Sequence, residues 1–349
     1  MIGWSKEADE VFWGDVTVAV AYVTPAGGAV AVGVAPCGLA DRAAGTLGFT
    51  TSLGFGKKLE RIVLDPHVAL ASHARDHGFS ASSSFVLAQG VAAVDLQPSP
   101  TRLEAFAPQA TRFLGGMKQG PVWDRLLREY YAERVFVDVA VERVVTWPDL
   151  GAFGQPDVAG PERTAPPPQA PPTGGTSPRV DVARTAGQLS SLPHRLLAWR
   201  GADGYPVVVP VALAGHDAAG LRLVAAPGLL PAGGRRAGLL GHSFRPQLVG
   251  LATRVLTGWL EVGGDGAGPG GSGVVSPNVP GGSGVSPGVI YAPHTSKGFL
   301  APPKKNLLLV SNGLMAKVGH WQASRSGVAD RLRQVAADAG ASRRDTPRL

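Results

Sequence analysis

Apolar runs of strand length alternate with short polar turns through the first 150 residues. Lys6–Phe12 has helical spacing. Val16–Val23 is apolar and β-branched, Pro25-Ala-Gly-Gly28 is a turn, and Ala29–Ala35 is a second apolar run, so the pair predicts a β-hairpin. Pro36–Gly45 is a loop. Thr46–Thr51 is a further strand, ending in hydroxyls. A turn with Gly54 and Gly56 follows, then Leu59, Ile62 and Val63 at helical spacing, until Asp65-Pro66 stops the helix. Val68–Leu70 resumes a strand, Ser72–Ser84 is a polar loop, and Phe85–Val94 is a strand with Gly90 in its middle. Residues 101–132 predict helix, split by Gly115-Gly116 and Pro121, with Phe106, Phe113, Trp123 and Leu127 on an apolar face. Arg134–Trp147 alternates as a strand, with Val135, Val137, Val139 and Val141 on one side.

The same pattern then returns. After a Pro/Gly-rich linker at 151–179, expected to be stiff, extended and poorly packed, Leu196–Val211 aligns with Val18–Val34, placing Trp199 on Tyr22 and Gly204 on Gly28. Gly220–Val224 falls opposite Gly45–Phe49, and Arg235–Leu240 opposite Lys57–Ile62. Val255–Val262 falls opposite Leu87–Val94, and Leu307–Trp321 opposite Arg134–Trp147. Five matches in one order predict two copies of one unit, at 1–150 and 180–325. A flexible Gly/Ser/Pro loop is expected at 263–288, and a C-terminal helix with a basic tail at 326–349. The second copy lacks the hydroxyls: Thr50-Thr51-Ser52 becomes Ala225-Ala226-Pro227, although Arg235 and Arg236 keep the means to attract an anion.

Composition narrows the class. The chain has 349 residues, 44% hydrophobic, enough for one large core or two ordinary ones. Neither a long uncharged apolar run nor an apolar N-terminal signal core is present, so a soluble, cytoplasmic protein without a membrane partner is expected. A single cysteine, Cys37, excludes an internal disulfide framework and a multi-cysteine zinc site. The net charge of +7 is scattered and aromatics are 7%, which argues against a nucleic-acid surface.

Candidate chemistry concentrates at Thr50–Lys58. Hydroxyls, two glycines, Lys57 and Lys58 at a helix start suit a phosphate grip, and equally an ordinary turn with solvated lysines. Elsewhere the signals are thin. His73 and His77, with Asp76 between, supply two metal ligands where a site needs more. His242 and His294 suit substrate contact or axial haem ligation, and Cys37 has no basic neighbour to activate it.

The stretch TTSLGFGKK, followed by Pro66 and an apolar strand, resembles the pyridoxamine 5′-phosphate oxidase-like family of FMN-binding split β-barrels, with a turn one residue longer than in the oxidase itself. The resemblance implies a mainly β (α+β) fold of two split barrels in tandem with short helices, a pseudo-dimer within one chain. It implies that Thr50, Thr51, Ser52, Lys57 and Lys58 hold the cofactor phosphate. The cofactor would be FMN, with a deazaflavin or haem as alternatives. The activity would be a flavin-dependent oxidoreductase acting on a small-molecule substrate. The alternatives are a non-catalytic flavin- or haem-binding protein and a deazaflavin-dependent reductase. Family members are usually homodimers, so this chain would be a pseudo-dimeric monomer or a homodimer, the second half supplying the wall opposite the phosphate turn.

Overall fold

The computed structural model describes residues 2–116, 118, 120–131, 134–263, 288–327, 330–332 and 334. The tract at 264–287 and the basic tail beyond 334 lie outside them. Helix α1 (Lys6–Gly14) is capped by Ser5, whose hydroxyl accepts from Ala8 N–H. The first sheet follows: β1 (Val18–Val23), β2 (Ala29–Val34), β3 (Ala40–Asp41), β4 (Thr46–Ser52), β5 (His67–Ser72), β6 (Phe85–Asp95) and β7 (Arg134–Trp147), with β8 (Asp157–Ala159) pairing the end of β7. Helix α2 (Gly56–Leu64) joins β4 to β5, and α3 (Pro100–Leu114) and α4 (Pro121–Tyr131) join β6 to β7. After α5 (Val182–Ser190) come β9 (His194–Arg200), β10 (Pro206–Pro210), β11 (Ala212–Asp217), β12 (Gly220–Val224), β13 (Gly233–Ser243), β14 (Ala252–Val262) and β15 (Val289–Leu300), then helix α6 (Lys305–Arg325).

Both sheets are antiparallel and share one strand order: β2-β1-β5-β6-β7-β4-β3 in the first and β10-β9-β13-β14-β15-β12-β11 in the second. Each curls into a split barrel, so the fold is mainly β with a few helices. The likeness extends to single residues. Register shifts at Gln89/Gly90 on β6 and at Thr257/Gly258 on β14, and at each bulge a Cβ on the glycine would collide with a carbonyl of the next strand, that of Ala140 or Ala292. Glycine is required at both positions because the neighbouring backbone occupies the space of a side chain.

The two sheets pack against each other through small residues. Val18, Val20 and Tyr22 of β1 point into the first barrel, while the alternating Ala19 and Ala21 point outward. Together with Ala29, Ala31, Ala69 and Ala71 they meet Leu196–Ala198, Val207–Val209 and Leu239 in one core shared by both halves. Burial on both faces explains why Val18–Val23 is apolar throughout instead of alternating with polar residues. Polar bonds also cross the interface: Gln89 donates through Nε2 to Pro206 O, and Arg143 Nη1 reaches both Gln89 Oε1 and Asp203 Oδ2 at 2.8 and 2.9 Å.

Four expectations need correction. Leu307–Trp321 is not the last strand but most of α6. Its leucines, methionine, alanine and lysine are good helix formers and do not alternate. The strand is instead Val289–Leu300, whose pattern is obscured by Pro293 and Gly298. The helix expected from residue 326 onward thus begins at Lys305, and residues 330–332 are again helical. Arg235 and Arg236 do not open a helix; they lie inside β13, paired with Leu260 and Trp259. Finally, 151–179 is mostly exposed, as expected of a poorly packed segment, but it is pinned to both sheets and is not a bare tether. Ala152 is buried. Gln169 N–H donates to Gly234 O, Gln169 Nε2 donates to Gly27 O, and Gln169 Oε1 accepts from Arg236 N–H, so one side chain ties the segment to both sheets.

Candidate functional site

Strand β4 ends in Thr50-Thr51-Ser52, and the chain then makes a single 3-10 turn, Leu53–Phe55, before α2. Ser52 fixes that turn: its Oγ accepts from Gly54 N–H at 3.1 Å. Thr50 Oγ1 accepts from Arg134 Nη1 at 3.0 Å. Each hydroxyl has accepted one bond and keeps its own proton to donate. By strand alternation Thr51 faces away from its two neighbours, and its Oγ1 is buried without a hydrogen-bond partner. Helix α2 starts without a side-chain cap, leaving its first N–H groups to another acceptor.

The two lysines differ. Lys57 is exposed, whereas Lys58 is half-buried, with Nζ 5.7 Å from the ring centroid of Phe49 and 5.3 Å from that of Phe55. Among the described residues no carboxylate lies within ion-pair distance of Lys58, and burial pushes its ammonium down to about 7. Arg134, at the first position of β7, adds a buried guanidinium, 5.2 Å from the Phe106 ring centroid. Sequence reasoning missed it because a lone arginine opening a strand carries no motif; the signal lies in its pairing with Ser52 across β4 and β7.

Thr50, Thr51, Ser52, Lys57 and Lys58 all line one cavity of about 1570 Å³. Its opposite wall comes from the second half: Thr253 and Val255 of β14, Phe299 of β15 and the inner side of α6. Helix α6 crosses directly over the turn. A Cβ on Gly319 would collide with the backbone of Gly54, and one on Gly313 with the carbonyl of Leu126 in α4. These two glycines let the helix backbone settle onto its neighbours.

The matching region of the second half is filled. Thr253 and Phe299 are paired across β14 and β15 as Phe85 and Trp147 are across β6 and β7. The first pair borders the cavity. The second is buried in the shared core with Ala186, Leu189 and Leu192, and Leu229 and Leu230 pack against that core. Between β12 and β13 there is no helix, only a loop. Arg235 is 1% exposed, and its guanidinium is spent on the carbonyls of Pro166, Pro231 and Ala232.

The histidines fall elsewhere. His73 and His77 do not share a helix; His77 has a left-handed backbone and packs on Phe244. His73 occupies the position in the first sheet that His242 occupies in the second, and the two meet across the interface, Nε2 to Nε2 at 2.5 Å. His73 Nδ1 bonds Ala71 O, His194 packs beside both rings, and His194 Nε2 pairs with Asp76 at 2.7 Å. His294 Nε2 approaches Thr176 O. Cys37 is buried, and burial pushes its thiol up to about 12, away from a nucleophile. Among the described residues no group of three or more histidine, cysteine or acidic side chains is arranged to hold a metal. No described helix is long and apolar enough to cross a membrane.

No protein-family model and no curated protein matches the chain. Solved structures similar to it include a conserved hypothetical protein from Mycobacterium tuberculosis, at 19% identity over 45% of this chain and 91% of that one, TM-score 0.31. A pyridoxamine 5′-phosphate oxidase-related, FMN-binding protein from Nostoc punctiforme is similar at 10% identity over 56% and 87%, TM-score 0.27. A haem-binding protein from Mycobacterium smegmatis is similar at 14% identity over 90% and 98%, TM-score 0.30.

Proposed function

We propose that the chain is a flavin-dependent oxidoreductase with one FMN site, whose phosphate is held by Thr50, Thr51, Ser52, Lys57 and Lys58. The observation that carries this reading is the convergence of those five residues on one large cavity, with a Lys58 ammonium that no carboxylate neutralises among the described residues. The turn suits a phosphate in each of its parts. The uncapped start of α2 offers N–H groups, and Ser52 and Thr50 have protons left to donate. Lys58 and Lys57 supply charge, and Arg134 holds Thr50 in orientation. The ring system would lie toward the apolar wall shared by α3, β14 and α6, which excludes water from it. When bound, the flavin supplies the redox chemistry, and the protein binds and orients it.

Haem fits less well. Among the described residues the cavity is lined by no histidine, cysteine or methionine. Tyr22 is the axial-ligand type present, and burial raises its pKa, against the phenolate that iron ligation needs. The visible spectrum of the purified protein, as isolated and after adding FMN, separates these readings. Flavin bands, with quenched flavin fluorescence, are expected. A Soret band, or a protein that leaves FMN fluorescence unchanged, contradicts the proposal; saturable binding of deazaflavin alone would assign that cofactor instead.

A further inference from the structure

Helix α6 runs the length of the cavity and measures it. Gly319 touches Gly54 at the phosphate turn, and Lys305 stands about 21 Å away along the helix at 1.5 Å per residue. Between them apolar residues predominate, Leu308 and Leu309 on α6 and Phe106, Ala107 and Ala110 on α3, interrupted by Asn312 and Thr111. At the far end polarity returns. The ammonium of Lys305 and the side-chain carbonyl of Gln247 converge on the same small space beside Gly115, where a Cβ would meet both. Both residues line the cavity at its open end, Lys305 half-buried and Gln247 exposed, and among the described residues neither side chain is engaged in a hydrogen bond or ion pair that would hold it away from a ligand. The carboxylates bordering the cavity, Glu60 and Glu104, pair with neither lysine, 58 or 305.

The backbone at this end is unusual as well. Gln247 and its neighbour Leu248 both adopt left-handed conformations, with φ of 60° and 58°. Non-glycine residues seldom do so, and two in succession are rarer still. Such outliers cluster where a structure holds side chains for a ligand. Here the bend gives the cavity one amide and one leucine side by side.

We propose that this far end binds the acidic group of an apolar organic anion, the substrate of the flavin site, with the Lys305 ammonium donating to that group and Gln247 Oε1 accepting from an N–H or O–H of the ligand beside it. The inference rests on the flavin reading for the word substrate, but the anion site stands on its own geometry. The probes are 8-anilinonaphthalene-1-sulfonate and N-phenyl-1-naphthylamine, which share an aromatic frame and differ in the sulfonate. The wild-type chain should bind the sulfonate about tenfold or more tightly than the neutral amine, the usual scale of a charge-assisted contact. Lys305→Gln should abolish that preference while leaving binding of the amine and of FMN unchanged, and Lys305→Arg should retain it. If Lys305→Gln leaves the preference intact, or if Lys58→Ala abolishes it instead, the anion site at Lys305 is overturned. If FMN fails to bind the wild type while the Lys305-dependent preference holds, the flavin reading fails and the anion site survives.

Discussion

Lys58 is the residue on which the cofactor reading depends, and its environment sets a pH response. An ammonium lowered to about 7 has lost half its protons at neutral pH, whereas a phosphate dianion binds the protonated form. FMN affinity should therefore be highest near pH 6 to 7. It should fall as pH rises through the free-state value, by up to about tenfold per unit until the bound-state value is reached. Fluorescence titrations across that range check it, and Lys58→Arg, whose charge does not titrate, should flatten the profile. Thr50, Thr51, Ser52, Lys57 and Lys58 were legible as a group because their local order is strand, turn and helix, all within a few residues. Arg134 and the far-end pair of Lys305 and Gln247 were not, because they reach the cavity from distant segments.

Among the elements, α6 carries the most and was the least legible. Its sequence lacks both the helical stripe of a surface helix and the alternation of a strand, because Leu308, Leu309 and Ala316 are buried while Leu307, Leu314, Val318 and Trp321 remain exposed. Its seat on the turn depends on Gly319. Gly319→Val should push the helix off Gly54, destabilise the chain by about 1–3 kcal/mol and weaken FMN binding, as read by denaturant unfolding and by titration. The hairpins and the repeated central strands, in contrast, were plain from β-branched runs and turn glycines. The bulges give a paired test. Gly90→Ala and Gly258→Ala should each destabilise by about 1–3 kcal/mol, because in each the new methyl meets a carbonyl that is fixed in a ladder. A loss at one site and none at the other would show that the two barrels do not depend equally on the bulge.

For the whole molecule, the interface between the barrels is mostly apolar, with polar contacts at Gln89, Arg143 and Asp203 and again at His73 and His242. Burial pushes His73 down to about 3 and His242 well below its ordinary value, helped by the neighbouring imidazoles and, at His73, by Arg75; Asp76 opposes the shift at His194. A histidine lowered in the folded state takes up its proton more readily when unfolded. Stability from this pair is therefore complete above the unfolded value near 6.5 and is lost as pH falls from there toward 3, at up to about 1.4 kcal/mol per unit for each ring. Denaturant midpoints measured from pH 7 downward should show that slope, and His242→Gln should reduce it. The pairing of these rings was not legible, since each histidine alone looks solvated and only the matched sheets bring position 73 to position 242. The same likeness makes the asymmetry of the cavity informative: one half keeps hydroxyls, helix and lysines, while the other has a loop, a spent Arg235 and a filled core. The most direct measurement is FMN titration into wild type, Lys58→Ala and Arg236→Ala. The expected result is one FMN per chain, an affinity loss of about ten- to hundredfold for Lys58→Ala, and little change for Arg236→Ala. Two FMN per chain, or a loss for Arg236→Ala as large as that for Lys58→Ala, would contradict a single site in the first half.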